Sequence, residues 1–306
     1  MKLKSILKIV KDPIIRFNFL ASKGFYDNMP DEEYLKRRFK LMLGYDLDLD
    51  NPRSFNEKIQ WLKLYDRRPE YTVMVDKVKA KQYVAGIIGE EHIIPTLSVW
   101  NDPDEIDFNA LPERFVLKCN HNSGSGVYIC RDKSKLEISR VKAELRKGLR
   151  QNYYLHGREW PYKNVERRIL AEQYMDDGNH ELMDYKLMCF NGVVRCCFTC
   201  TERFSGNGLK VTFFDNDWNV MPFERHYPKS DKPIKKPVCY GQMIEFAEHL
   251  SHGIPFVRVD FYEINGVVYF GELTFYPGDG MEEFSPIEWD YKLGDWITLP
   301  EVNILG

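Results

Sequence analysis

The chain has 306 residues, 43 Lys plus Arg against 46 Asp plus Glu, and a formal net charge of -3. That balance supplies no basic field for nucleic acid, and no stretch reaches the roughly 18 consecutive apolar residues of a membrane span. With 18 Tyr, 19 Phe and 6 Trp, the chain has the apolar surface for a large core or for two to three lobes.

The first segment, MKLKSILKIVKDPIIRFNFL, mixes Lys2, Lys4, Lys8, Lys11 and Arg16 with Leu3, Ile6, Leu7, Val10 and Ile14. A signal peptide keeps its charge at the front, and this segment does not. It reads as a basic amphipathic helix broken near Pro13, lying on a membrane surface or packing its apolar side on the body. Pro30 followed by DEEYLKRRFKLML opens a second helix with acids in its first turn. Asn51-Pro52 makes a turn, and Ser54 caps FNEKIQWLKLYD, with Glu57 completing a capping box. Residues 1–70 are therefore expected as a helical N-terminal region. No glycine-rich strand–turn–helix marks a dinucleotide site there.

Residues 71–170 alternate helix and strand. Asp76 begins a helix, DKVKAKQYVAGIIG, stopped near Gly86 to Gly89. His92 to Leu97 reads as a strand, as does Arg114 to Asn120. The latter runs into HNSGSGVYIC, where Gly124 and Gly126 let backbone amides approach phosphate oxygens. Lys118 stands just before that loop, within reach of an alpha or beta phosphate. The loop is not a P-loop, because no Gly-Lys-Ser/Thr and no helix follow it directly. Lys133 to Asn152 reads as a long charged helix. Ile169 to Met175 reads as a strand carrying Glu172, a carboxylate suited to an adenine edge.

Residues 171–306 read as two hairpins with helices between them. Tyr185 to Phe190 and Val193 to Thr199 flank Asn191-Gly192, and Phe256 to Tyr262 and Val267 to Thr274 flank Asn265-Gly266. Leu209 to Phe214 adds a strand, HYPKSDKPIKKPV a surface loop, and Met243 to His252 a helix. The fold class is α+β with mixed antiparallel sheets. The seven cysteines are odd in number and mostly sit in apolar runs, as buried thiols do in a reducing compartment. Cys197 and Cys200 form a C-x-x-C pair, but no second pair completes a zinc set.

The last hairpin carries the chemistry. Arg258 and Asp260 lie two apart on one strand, and Glu272 and Thr274 two apart on the other, so each pair points to one side. If the strands pair across the turn, one cation, two carboxylates and a hydroxyl share a face. Carboxylates beside an arginine suit a magnesium–phosphate centre.

Together, FNEKIQWLKLYD, DKVKAKQYV, FVLKCNHNSGSG, AEQYM, DYKLMCFNG, VRVDFY and GELTFYPG resemble the ATP-grasp superfamily. More closely, the chain resembles the branch named after a teichuronopeptide biosynthesis protein, whose members are often labelled glycosyltransferases. The likeness covers roughly residues 45–300. It implies two lobes enclosing an ATP cleft, with the N-terminal lobe at 71–170 and the metal-bearing lobe at 171–306. By this resemblance Lys118 and Lys77 bind phosphates, and the loop Ser123, Gly124, Ser125, Gly126 covers them. Glu172 accepts from the adenine amine, and Met175 lies in the hinge. Glu181 or Asp184 takes the ribose hydroxyls, with Glu181 preferred, and Lys186 lines the site. Arg258 stabilises the transferred phosphoryl group, and Asp260 and Glu272 bind magnesium or manganese. Thr274, a further candidate metal ligand through its hydroxyl, stands where the superfamily often has asparagine, which leaves one or two metal ions open.

The implied reaction joins a carboxylate to an amine through an acyl phosphate made from ATP. The implied substrates are a uronic acid of a surface polysaccharide, or an amino acid, and an amine. The setting is cytoplasmic, at the inner membrane if a lipid-linked glycan is the acceptor and residues 1–20 touch the bilayer. The acceptor pocket is expected from His121, Tyr153, Arg158, Trp160, Arg203, Tyr276 and Asp279. Three other readings compete: a kinase of a sugar or other small molecule or of a protein, a nucleotide-sugar glycosyltransferase, and a scaffold. The D-x-D runs at Asp46 to Asp50 lie in a turn between helices, which disfavours the transferase.

Overall fold

The computed structural model describes residues 10–178, 182–202, 206 and 208–301. The readings placed on Glu181, on Arg203 and on residues 1–9 lie outside them.

Helix α1 (Pro13–Ser22) starts where Asp12 caps it, the carboxylate accepting from the Ile14 and Ile15 amides at 2.9 and 3.0 Å. Helix α2 (Asp31–Leu43) ends at Gly44, whose φ of 82° suits glycine. Helix α3 (Phe55–Tyr65) has the expected capping box. The Ser54 hydroxyl accepts from the Glu57 amide, and the Glu57 carboxylate accepts from the Ser54 amide, at 3.2 and 2.9 Å. Helices α4 (Pro69–Val75) and α5 (Lys79–Ile88) follow. Helix α5 begins three residues later than the sequence suggests, after a turn at 76–78 that Asp76 closes. The Asp76 carboxylate accepts from the Val78 amide and the Asn120 side chain.

The smaller sheet holds β1 (Thr96–Trp100), β2 (Phe115–Cys119), β3 (Val127–Cys130) and β4 (Ile169–Gln173) in the order β1-β4-β2-β3, all antiparallel. The strand expected over His92 to Leu97 starts only at Thr96. His92 lies in a 3-10 turn, its ring 2.7 Å from the Val268 carbonyl oxygen. The long helix expected over 133–152 is a 3-10 turn at Lys133–Lys135 followed by α6 (Ile138–Arg150). Asp132 caps the 3-10 turn by accepting the Ser134 amide. Helix α6 covers the sheet, and Phe115, Leu117, Val141, Leu145 and Ile169 close a core of their own. A short helix, α7 (Tyr153–Gly157), leads back toward β4.

The rest of the chain runs β5 (Asp184–Phe190), β6 (Val193–Thr201), β7 (Lys210–Phe214), β8 (Glu224–Arg225), α8 (Tyr240–Leu250), β9 (Phe256–Ile264), β10 (Val267–Thr274), β11 (Phe284–Ser285) and α9 (Glu288–Asp295). Five of these strands form an antiparallel sheet, β10-β9-β5-β6-β7, and β8 pairs with β11. Both Asn-Gly turns have positive φ at both central residues, 49° and 81° at Asn191-Gly192 and 53° and 76° at Asn265-Gly266. That geometry matches the twist of a hairpin.

The N-terminal helices share the larger core instead of forming one alone. Phe55 of α3 meets the rings of Phe190, Phe256 and Phe284 at 6.2, 5.0 and 6.0 Å. The protein thus has two cores, one under each main sheet. Cys196, Cys197 and Cys200 are buried in β6. No helix among the described residues is long and apolar enough to cross a membrane.

Candidate nucleotide and metal site

One extra residue puts the charged hairpin in order. From the turn, Val267 to Phe270 pair with Ile264 to Phe261 in simple register. Continued unchanged, that register would set Glu272 opposite Val259, on the face away from Asp260. A bulge between Phe270 and Glu272 shifts the pairing by one. Asp260 then faces Glu272, and Arg258 faces Thr274. Gly271 is the residue in the bulge, and a Cβ there would come 3.0 Å from the Asp260 carbonyl oxygen and 3.2 Å from the Tyr262 ring. Strand β5 lies on the other side of β9 and sets Lys186 opposite Asp260.

These strands create an alternating charge array. The Arg258 guanidinium donates to both Asp260 carboxylate oxygens at 2.6 and 2.7 Å, to Glu272 Oε1 at 3.0 Å and to the Thr274 hydroxyl at 2.9 Å. Lys186 bridges Asp260 and Asp184, the latter at 2.9 Å. Burial works against the charge on Lys186, but Asp260 overrides it and the lysine holds its proton more tightly than usual. Burial pushes the Glu272 carboxyl up, yet Lys77, then Arg258, Lys186 and Lys118, bring it down to about 2.

The smaller lobe supplies the facing wall. Glu172 on β4 meets two ammonium groups, Lys81 at 2.7 Å on one oxygen and Lys118 at 2.5 Å on the other. Burial would raise this carboxyl, but Lys118 and Lys81 hold it at about 2. Lys77 donates to the Asn122 carbonyl oxygen at 2.7 Å, and burial makes its proton easier to lose. A cleft of about 210 Å³ lies between the lobes. Lys77, Lys118, Ser123, Gly124, Glu172, Asp184, Lys186, Asp260 and Glu272 line it, so nine expected positions converge on one space.

Other expected positions stand apart from the lining. The Ser125 hydroxyl donates to the Gln151 side chain. Gly126 packs on Cys119 and Gly148, where a Cβ would come 2.5 Å from the Cys119 sulfur. The loop is thus tied to the end of α6, and only its tip at Ser123 and Gly124 reaches the cleft. Met175 follows the end of β4. Thr274 serves Arg258, as its hydroxyl accepts from the guanidinium. Among the acceptor-pocket positions, Arg158 is 2% exposed, stacked on Tyr34 and bonded to the Tyr26 carbonyl oxygen. His121 is buried with its ring 3.1 Å from the Gln151 carbonyl oxygen.

Sequence reasoning missed Lys81, Asn122, Tyr162, Tyr262 and Gly271 in the lining. Lys81 carried a signal, since it stands one helical turn after Lys77. Gly271 carried only the mark of a glycine inside a strand.

Among the described residues no group of three His, Cys, Asp or Glu is placed to hold a metal unaided. Asp260 and Glu272 do face each other across β9 and β10. Two carboxylates are what magnesium takes from a protein when phosphate and water oxygens supply the rest, so the donor set fits that ion. The D-x-D run does not reach the cleft: Asp46 pairs with Lys40, and Asp48 accepts the Asp50 and Asn51 amides in its own turn.

No match was found among curated proteins. Among solved structures, the chain is similar to the D-alanine-D-alanine ligase of Helicobacter pylori, at 16% identity and a TM-score of 0.46, over 81% of this chain and 70% of that one. It is similar to the D-alanine-D-alanine ligase of Bacillus anthracis complexed with ATP, at 14% identity and 0.43, over 74% and 63%. It is also similar to the ATP-grasp ligase PsnB with a minimal precursor, at 13% identity and 0.42, over 90% and 75%. Likenesses this distant carry no functional weight. The match that does is to the model of the TupA-like ATP-grasp family over residues 57–298. The chain therefore belongs to the TupA-like ATP-grasp family, and with it to the carboxylate–amine ligases.

Proposed function

We propose that the protein attaches an amine or amino acid to a uronic acid of a surface polysaccharide or its precursor, using ATP and magnesium. The convergence of four lysines and four carboxylates on one interlobe cleft, with Arg258 bonded to two of those carboxylates, carries the ATP half of this reading. The uronic-acid half rests on the likeness to the branch named after teichuronopeptide biosynthesis.

In this reading Lys118 and Lys77 bind ATP phosphates, and the amides around Ser123 and Gly124 cover them. Glu172 orients Lys118 and Lys81 and turns its remaining lone pairs to the adenine amine. Asp184 and Glu181 serve the ribose, and Met175 the hinge. Asp260 and Glu272 would hold magnesium, which neutralises phosphate charge when bound. Arg258, now forked onto both carboxylates, offers its guanidinium to the phosphoryl group as it moves. Lys186 keeps Asp260 in place and adds positive charge beside it. The lobes exclude water, which an acyl phosphate requires.

The exposed Val10 and Phe25, at 63% and 72%, with Lys11, Arg16 and Lys23 nearby, support surface contact of the N-terminal segment with an anionic membrane. The test of the reaction is ADP release with glucuronic acid and amino acids offered singly and together. Release that requires both supports a ligase. Release with the sugar acid alone, giving a stable phosphorylated sugar, would make the enzyme a kinase.

A further inference from the structure

The first 45 residues carry ten Lys and Arg against five Asp and Glu, in a chain whose net charge is -3. That excess of positive charge lies ahead of the family match, which begins at residue 57. Part of it is gathered in a groove of about 430 Å³ between α1 and α2. Arg16 comes from α1, and Arg37 and Lys40, one helical turn apart, come from α2. Phe17, Tyr26 and Leu41 supply apolar surface beside them, and none of the described residues lining the groove is acidic.

The floor of the groove is fixed. Phe17 is 6% exposed and stacks on Tyr26 at 4.7 Å, with the Tyr34 ring 5.2 Å away. Arg158 donates to the Tyr26 carbonyl oxygen and ties that wall to the rest of the protein. The cations are less committed. Arg16 donates to the Val10 carbonyl oxygen at 3.3 Å and makes no ion pair among the described residues. Arg37 pairs with Glu33 and Lys40 with Asp46, but all four of these side chains are 49% exposed or more. Water and salt screen such pairs, so an incoming anion competes for both cations. Residues 1–9 add Lys2, Lys4 and Lys8 and no acid, so they bring no anion of their own.

We propose that this groove binds the phosphate of an anionic membrane phospholipid. This rests on the surface contact proposed above for the N-terminal segment, and gives that contact a defined site. Two guanidinium groups and an ammonium suit phosphate oxygens. The three apolar side chains suit the glycerol and the upper part of an acyl chain, for which a free phosphate has no use. Val10, Ile15 and Phe25, close to groove residues in the chain, are exposed, and a membrane interface covers such side chains beside a cationic site. The same basic segment of a second copy of this chain would meet like charge here.

The test uses the full-length protein and two probes. Dihexanoylphosphatidylglycerol below its micelle concentration reports the groove by titration calorimetry. Vesicles of phosphatidylcholine, with and without an equal share of phosphatidylglycerol, report surface contact by sedimentation. The groove variant is Arg16→Gln with Lys40→Gln. The control is Lys23→Gln with Lys36→Gln, which removes the same charge from the same segment outside the lining. Wild type and control are expected to bind one monomeric phosphatidylglycerol per chain, and the groove variant to lose about tenfold or more in affinity. Dihexanoylphosphatidylcholine, whose head is neutral overall, is expected to bind wild type about tenfold more weakly or worse. Equal loss in the two variants, inorganic phosphate binding as tightly as the lipid, or a wild-type dimer that the groove variant dissolves would each overturn the proposal. Vesicle binding by wild type without any monomeric lipid bound would leave the surface contact standing and remove the site. No sedimentation of wild type with phosphatidylglycerol vesicles would instead refute the surface contact itself.

Discussion

Replacing Glu172 by glutamine tests the charge network of the smaller lobe. Glutamine keeps the size of the side chain and mimics the protonated acid, so Lys81 and Lys118 lose their shared anion. In the folded protein the Glu172 carboxyl drops from the ordinary 4.5 to about 2, which corresponds to roughly 3 kcal/mol favouring the ionised form. The residue is 5% exposed, so solvent screening is weak. A carboxyl with a lowered folded pKa contributes fully above its unfolded value of 4.5 and loses that contribution as pH falls toward 2. About 1.4 kcal/mol of it is gone by about pH 3.5. Urea unfolding of wild type and Glu172→Gln at pH 7 and at about pH 3.5 reads both numbers. Wild type is expected to be more stable by roughly 3 kcal/mol at pH 7 and by about 2 kcal/mol at the lower pH. An equal gap at both values, or no gap at pH 7, would refute the reasoning.

Asp279→Asn leaves Lys63 and Arg38, its two buried ion-pair partners, without their anion, and should cost about 3–5 kcal/mol of stability in urea unfolding. A cost under about 1 kcal/mol would mean that the cluster is hydrated. Lys118→Ala should weaken ATP binding by about tenfold or more through the lost phosphate contact, and unchanged affinity would count against that role.

Local chemistry was legible wherever a few neighbouring residues decide the outcome. Ser54 with Glu57 announced the start of α3, and the two Asn-Gly pairs announced their turns. The face shared by Arg258, Asp260, Glu272 and Thr274 was legible as residue types. What places Glu272 on that face is the bulge at Gly271. Simple alternation from the turn would have sent it to the other side, because a one-residue slip reverses every side chain. Glu172 stood out as a strand carboxylate, but its pairing with Lys81 joins residues far apart in the chain, so no local pattern reveals it. Lys63 and Asp279 are separated by 216 positions, and Lys63 reads in sequence as an ordinary solvent-facing helix residue. Its complete burial follows from the positive-φ turn at 278–280, which only the folded chain defines. Asp76 shows the reverse case. It reads in sequence as the start of a helix, and in the fold its carboxylate accepts both the local Val78 amide and the distant Asn120 side chain, which no local pattern reveals.

The most direct test of the ATP–magnesium cleft is titration calorimetry of wild type and Asp260→Asn with ATP, ADP, UDP-sugars and GDP-sugars, each with and without magnesium. ATP and ADP should bind wild type and the nucleotide sugars should not, with magnesium strengthening ATP binding in wild type and not in Asp260→Asn. Binding of a nucleotide sugar alone, or the same magnesium effect in both proteins, would contradict the assignment.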